Sequence, residues 1–496
     1  MPLLGIDLGT SEVKACLLDE EGQVLATATR PLPLQQPQPL WSEQDPHAWW
    51  EAADGCVQAL RSDGHDLQGV RGIGIAGQMH GAVLLDAQRR ALRPAILWND
   101  GRSGAECSEL EARVPTLHAL TGNLAMPGFT APKLLWVRRH EPAVFAALRL
   151  VLLPKDWLVL RLTGQASTDM SDASGTLWLD VARRRWSEEM LQACGLTLGQ
   201  VPSLHEGTQA VGTVLPEVAQ RWGLARECVV AAGAGDNAGA AVGLGCTEVG
   251  SGFVSIGTSG VAFLVSDGYR PEPARAVHAF CHAVPRRWHQ MGVMLSAAAS
   301  LNWAAAALRL GSAAHLLAQS ESVTPRRAAH APLFLPYLAG ERTPHNDVGA
   351  SGVFFGLRAA HEPADLAHAV AEGVCFGLAD CLAAVDAART ARGGLHAVGG
   401  AARNERLLVL LASAAGLPLQ AVDNAQHAAA RGAGLLAQAA ARGGGVAPIA
   451  PLRAAATVAP DPAWAAVLAP RLHAFRELYR SLREPFQRSM TQETPA

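Results

Sequence analysis

No uninterrupted run of about 18 apolar residues occurs anywhere in the sequence, so no segment is predicted to cross a membrane. The longest apolar stretches are rich in Ala and Gly and carry Arg, Glu or His. An excess of either charge is lacking as well: 41 Lys and Arg against 44 Asp and Glu give a net charge of −3. Without a basic excess nothing points to nucleic acid, and without an acidic tail nothing points to a basic partner. The nine cysteines, at 16, 56, 107, 194, 228, 246, 281, 375 and 381, include no C-x-x-C pair. A dispersed, odd-numbered set reads as reduced thiols used as small core hydrophobes, in a cytoplasmic protein. The N-terminus runs straight into Leu3-Leu4-Gly5-Ile6-Asp7, with no charged region before an apolar stretch, so no secretory leader is expected.

Familiar phosphate motifs are missing too. No G-x-x-x-x-G-K-[ST] loop occurs, and neither H-R-D nor D-F-G appears. A chain that handles phosphoryl groups without them needs another fold.

What is present is a composition of 49% hydrophobic and 17% charged residues over 496 positions. That supports a sizeable core and suits two domains of roughly 200–250 residues each. The first 30 residues predict strands at Leu3–Asp7, Val13–Leu18 and Val24–Thr29, joined by turns at Gly9-Thr10-Ser11 and Glu21-Gly22. Asp45-Pro46 starts a helix reaching about Arg61. Short strands follow at Val70–Ala76, Ala82–Asp86 and Ala95–Trp98, and helices at Ser103–Val114, Lys133–His140, Lys155–Leu162 and Ser187–Cys194.

Near residue 228 the pattern restarts. A strand at Cys228–Ala232 leads through a glycine turn to a helix at Asn237–Leu244. Gly252 to Val265 then reads strand, Gly-Thr-Ser turn, strand, as at residues 3–18. The echo marks two related halves and predicts domains at 1–245 and 246–485, with a tail at 486–496. Helices are predicted at Leu295–Leu310, Asp365–Ala388, Arg403–Ala415, Ala428–Arg442 and Trp464–Arg483, with residues 443–463 as a surface connection.

Several polar segments could carry chemistry. In the first hairpin, Asp7 ends a strand before Gly9, Thr10 and Ser11, whose amides and hydroxyls suit an anion while the acid suits Mg²⁺. An ordinary hairpin with a surface Asp fits the same residues. Gly257-Thr258-Ser259-Gly260 repeats the loop, and two such loops could face each other across a cleft and grip one nucleotide. Asp236 follows a glycine turn before a helix, which fits a helix N-cap or a carboxylate that accepts a proton from a substrate hydroxyl. Gln78-Met79-His80 and Trp98-Asn99-Asp100 with Arg102 follow strands, where open α/β sheets place ligands. Gly399-Gly400-Ala401, with Asn404, has the form of a nucleotide-binding turn.

Together these segments resemble the FGGY carbohydrate kinases, of the actin, hexokinase and Hsp70 fold superfamily, over about residues 3–440. Gly5–Ser11 looks like the family's first phosphate loop and Gly128–Trp136 its first signature. Tyr337–Pro344 and Gly352–Leu357 look like its C-terminal motifs. Pro39–Pro46, Ala76–Gly81, Leu97–Arg102 and Leu153–Asp156 place the nearest likeness with members that phosphorylate D-xylulose. No Gln-Arg-Glu-Thr, the glycerol kinase pattern, appears.

The resemblance implies a two-domain actin-like α/β fold with an interdomain cleft. It implies ATP and Mg²⁺ as cofactors, a small sugar as substrate, and a monomer or homodimer. By that resemblance Asp236 is the base toward the sugar's 5-hydroxyl, Asp7 works with Mg²⁺, and Met79-His80 line the sugar site. Gln78, Trp98, Asn99, Asp100, Arg102 and Asn237 join them on the sugar. Gly9, Thr10, Ser11, Lys14, Gly257, Thr258, Ser259, Gly399, Gly400, Ala401 and Asn404 are assigned to the nucleotide. Two positions depart from the family pattern: Ala401 stands third in the glycine turn, and Gln426–Arg431 replaces an acid followed by a small-residue run. A kinase for another ketose or polyol such as ribulose, or a non-catalytic ATP- or sugar-binding protein of the same fold, are the alternatives.

Overall fold

The computed structural model describes residues 1–444, 452 and 454–492. Its first sheet is built around the N-terminal hairpin. Strands β1 (Leu3–Leu8) and β2 (Glu12–Leu18) pair antiparallel, and β3 (Val24–Pro31) pairs antiparallel with β2. On the other side of β1, β4 (Gly72–Gly77) runs parallel. Every residue of β4 is buried, as expected for a strand covered on both faces. β5 (Ala210–Thr213) and β6 (Val229–Ala231) complete that edge, β6 parallel to β4 and β5 antiparallel to β6. The short β7 (Ala234–Gly235) runs parallel to the end of β4.

The second sheet repeats this order. β8 (Gly252–Ile256) and β9 (Gly260–Ser266) form its hairpin, and β10 (His278–Cys281) pairs with β11 (Trp288–Met294) beyond β9. β12 (Leu395–Val398) lies parallel to β8, β13 (Leu419–Val422) parallel to β12, and β14 (Ala454–Val458) antiparallel to β13. The short echo in the sequence is therefore a repeat of strand order across two seven-stranded sheets.

Most helices form close to where their caps and periodicity put them: α1 (Pro46–Ser62), α2 (Thr130–His140), α3 (Pro154–Thr163), α5 (Asp236–Leu244), α6 (Pro363–Ala384), α7 (Glu405–Ala415), α8 (Ala428–Ala441) and α9 (Pro462–Gln492), while the short α4 (Met170–Ser174) was not expected. Asp45 caps α1, accepting from the His47 amide at 3.0 Å. Among the described residues, α6 alone is long and apolar enough to cross a membrane by length and composition. It is a core helix: 89% of that stretch is buried inside the protein. All nine cysteines are buried and unpaired.

One helix crosses between the halves. α8 follows β13 in sequence but packs on β1, β4 and α5. The approach is backbone to backbone. A Cβ on Gly5 would stand 1.8 Å from the Ala430 carbonyl oxygen, and one on Gly243 1.8 Å from that of Ala428. Only glycine fits such contacts. A chain division at residue 245 does not anticipate this crossing.

The C-terminal region differs from expectation. Within the predicted connection 443–463, residues 445–451 and 453 lie outside the described residues, but 454–458 form edge strand β14. Its Ala-Ala-Ala-Thr-Val sequence has no alternation to reveal it. α9 continues past Arg483 to Gln492, so residues 486–492 of the predicted tail are helical, and 493–496 lie outside the described residues.

Candidate active site

A cleft of about 970 Å³ opens between the halves. Asp7, Asn237, Ala240 and Leu244 line it from the first half, and Ser255, Gly399, Gly400, Arg403, Asp423, Asn424 and Gln426 from the second. That volume lies within the range of small-ligand pockets.

Two carboxylates matter here: Asp7 lines the cleft, and Asp236 precedes the lining residue Asn237 without lining it. Asp7, near the end of β1, is half-buried and faces Lys14 across the hairpin register. Among the described residues no donor bonds its carboxylate. Burial, and then the charge of Asp236, push its pKa up to about 7, while Lys14 pulls the other way. Asp236 is the first residue of α5, and the capping position belongs to Gly235, which corrects the N-cap reading. Its Oδ1 accepts from the Asn237 amide at 2.7 Å and from Asn237 Nδ2 at 3.0 Å. Burial raises the Asp236 pKa, and the Asn237 bonds oppose that.

The loop after β4 comes close to Asp236. A Cβ on Gly235 would meet Met79 Cγ at 2.8 Å. His80 sits in the left-handed region at φ 70°, its carbonyl held by Lys133 Nζ at 2.9 Å and Thr130 Oγ1 at 3.1 Å. Those donors belong to α2, so the Gly128–Trp136 motif fixes the backbone of His80. The His80 ring packs edge-on against Phe129, and its Nδ1 lies 2.7 Å from the Gly175 carbonyl. Burial lowers its pKa to about 3, so the ring is neutral at physiological pH. Nδ1–H then donates to Gly175, and Nε2 keeps its lone pair.

Other expected sugar contacts are engaged elsewhere. Gln78 is buried; its Nε2 donates to Gln44 Oε1 at 3.0 Å and its Oε1 accepts from Thr10 Oγ1 at 3.0 Å. The side chains of Asp100 and Arg102 are buried and bonded to each other, with Asp100 Oδ2 also accepting the Ser42 amide at 2.6 Å. Arg102 also pairs with Glu43 at 2.6 Å and lies over the Trp41 ring at 3.6 Å. Paired with each other and with Glu43, the two form a brace beneath the Trp98 loop. Trp98 is 45% exposed, with Nε1 donating to Thr10 Oγ1 at 2.9 Å, and Asn99 is exposed beside it.

The nucleotide-side expectations divide similarly. Gly399 and Gly400 line the cleft. Gly399 has φ 96°, and a Cβ there would lie 2.7 Å from the Ile256 carbonyl oxygen. Ala401 is not among the lining residues, and Asn404 instead caps α7, accepting the Leu407 amide at 2.8 Å. Gly9, Thr10, Ser11, Gly257, Thr258 and Ser259 do not line the cleft. Thr10 spends its one hydroxyl proton on Gln78, and the Gly9 amide donates to Glu12 at 3.0 Å. The Gly257 and Thr258 carbonyls accept amides of Ala298 and Ala297 at 2.9 and 3.0 Å. Lys14 Nζ donates to the Gln426 carbonyl at 3.0 Å and lies 3.4 Å from Glu12.

Sequence reasoning missed Asp423 and Asn424. They follow β13, the kind of strand-end polar pair that drew attention to Gln78–His80. It also missed a buried cluster in which Lys155 Nζ lies 2.5 Å from Asp156, 3.0 Å from Asp169 and 3.6 Å from Asp172. Asp156 and Asp172 are held above the usual carboxylate range by burial, against the pull of Lys155.

Comparison with known proteins agrees with this architecture. The N-terminal domain model of the FGGY family of carbohydrate kinases matches residues 2–243, and the C-terminal domain model matches residues 252–441. A xylulose kinase from Escherichia coli is 52% identical over 481 residues, covering 97% of this chain and 99% of its own. One from Klebsiella pneumoniae is 50% identical over 483 residues, covering 97% and 99%. The crystal structure of a "xyloylose kinase" from Brucella ovis superposes with a TM-score of 0.93 at 45% identity, over 97% of this chain and 99% of that one.

Proposed function

The chain belongs to the FGGY family of carbohydrate kinases, and from that membership we propose that it transfers the γ-phosphate of ATP to the 5-hydroxyl of D-xylulose, giving D-xylulose 5-phosphate. The observation that carries the choice of sugar is the 52% identity, over 97% of the chain, with a xylulose kinase.

In this reading ATP occupies the cleft against Gly399, Gly400, Asp423 and Asn424, with its phosphates toward Asp7. The sugar lies against the first half, where the Met79–His80 loop and Asp236 come together. The exposed face of Trp98 offers an apolar wall to the sugar, and Asn99 and Asn237 offer amides to its hydroxyls. His80, neutral and with Nδ1–H committed to Gly175, accepts a sugar hydroxyl at Nε2. Asp236 takes the proton of the 5-hydroxyl as the phosphoryl bond forms. Its raised pKa brings it closer to neutral pH and makes it a better base than an ordinary Asp.

Mg²⁺ fits Asp7. Among the described residues no donor bonds that carboxylate, which lines the cleft, and no group of three or more His, Cys, Asp or Glu is arranged to hold a metal by protein alone. The ion would be held by Asp7 through water and by the nucleotide's phosphates, and would neutralise charge at the transferred group.

The test is coupled ADP release from the purified protein with MgATP and D-xylulose, D-ribulose, L-ribulose, L-xylulose, glycerol or no sugar. Highest kcat/KM with D-xylulose supports the reading. A higher value with another sugar sinks the choice of substrate, and no release with any sugar sinks the kinase.

A further inference from the structure

We propose that the segment Asp169–Gly175 is the positioning element of the sugar site, with Ser171 orienting Asp236 through the Gly235 amide and Gly175 orienting His80. This rests on the reading of Asp236 as the base.

The polarity of the bonds fixes the arrangement. Ser171 Oγ donates to Asp169 Oδ2 at 2.5 Å, so the hydroxyl proton is committed to Asp169. The hydroxyl's lone pairs are then free to accept, and the Gly235 amide donates to them at 3.1 Å. Gly235 immediately precedes Asp236. Its freedom is further limited by Met79, whose Cγ occupies the space a Cβ would need. Ser171 therefore sets the peptide plane from which Asp236 departs.

Asp169 is itself held. It accepts the Ser171 amide at 2.7 Å at the start of α4, and Lys155 Nζ lies 3.0 Å away. All these charged side chains are completely buried. A rigid, desolvated ion cluster is a costly feature unless its partners are well placed. The Ser171 hydroxyl connects it to the Gly235 amide, next to Asp236.

The other end of the segment reaches the sugar loop and the second half. The Gly175 carbonyl accepts from His80 Nδ1, and a Cβ on Gly175 would lie 2.5 Å from that nitrogen. Ser174 Oγ accepts the Cys281 amide, in β10, at 3.0 Å. One short segment thus contacts the backbone before the base, the ring beside the sugar, and the opposite half.

The test compares Ser171→Ala, Ser171→Thr and the double variant Ser171→Ala/Asp236→Asn with the wild type and Asp236→Asn, in the coupled ADP assay with D-xylulose. Small misplacements of a reacting group cost up to about a hundredfold. Ser171→Ala is expected to lower kcat by about ten- to a hundredfold with KM for ATP within about twofold, and Ser171→Thr to recover most of the loss. Adding Ser171→Ala to Asp236→Asn is expected to lower kcat no further, because the hydroxyl acts through that carboxylate. A merely structural serine would give equal losses in both backgrounds. That result, or wild-type kcat in Ser171→Ala, overturns the proposal. If Ser171→Ala shows no cooperative melting, Ser171→Cys, which keeps the volume and weakens the acceptor, carries the same comparison. Lack of ADP release by the wild type with every sugar overturns the kinase reading itself.

Discussion

Lys14 and Gln426, 412 residues apart, meet through a hydrogen bond of 3.0 Å from the ammonium to the backbone carbonyl. The same ammonium lies beside Asp7 in the hairpin and lowers the pKa that burial and Asp236 raise to about 7. Lys14→Ala removes that help, so Asp7 holds its proton to higher pH. The acid limb of kcat/KM for ATP is expected to move upward in pH, and KM for ATP to rise as the tie to Gln426 is lost. A pH profile of both proteins checks this, and an unmoved limb would contradict the electrostatic account.

Asp236→Ala removes the proposed base. General-base contributions are typically about 10²- to 10⁴-fold. Turnover with D-xylulose is expected to fall by that order while ATP still binds, read as ADP release beside nucleotide titration. A loss well under tenfold would point to positioning rather than proton transfer.

Asp7→Asn separates stability from activity. A carboxylate whose pKa rises from 3.8 to about 7 on folding binds more protons in the native state. Stability then declines as pH rises through that window and levels off above it. The neutral amide is free of this penalty. The variant is expected to lose activity yet melt higher than the wild type, with a larger gain at pH 8 than at pH 5. Asp7 is only partly buried at the cleft, so solvent screening keeps the gain to a few degrees. Equal melting shifts at both pH values would refute the assigned titration.

His80→Ala tests the sugar loop. Losing one hydrogen bond to a bound hydroxyl costs about 0.5–1.5 kcal/mol. KM for D-xylulose is expected to rise several-fold, with KM for ATP little changed. A ring held neutral with a pKa near 3 also predicts that no His80 titration appears in the sugar profile between pH 5 and 8.

Gly243→Ala tests the crossing of α8. The added Cβ would stand 1.8 Å from the Ala428 carbonyl oxygen, and backbone on both sides leaves little room to yield. Overpacking costs about 1–3 kcal/mol or more. A melting temperature several degrees lower is expected, and an unchanged one would show that the two helices can part.

Much of this was legible because local patterns encode local structure. The Gly-Thr-Ser hairpins, the Asp45-Pro46 helix start and the strand-end polar clusters announce themselves within a few residues. Asp7, Asp236 and the Met79–His80 loop stand out as candidates in that way. For Asp100 and Arg102 the sequence leaves the partner open, because a charged pair at a strand end looks the same whether it faces a ligand or Glu43 and Trp41. For Thr10 the sequence does not say whether its single proton goes to a phosphate or, as in the folded chain, to Gln78.

The sequence alone determined the paired halves, the elements within them and the residue types available to the cleft. Tertiary structure decided which polar groups remain free. A hydroxyl, amide or carboxylate has few bonding positions, and long-range packing assigns them. Ser171 became a link to Gly235, Asn404 a helix cap and Lys14 a tie between halves only when distant segments closed around them. The same holds for α8. Its Ala- and Gly-rich sequence shows that a close backbone approach is possible, but the folded chain decided that its partners would be Gly5 and Gly243 in the other half.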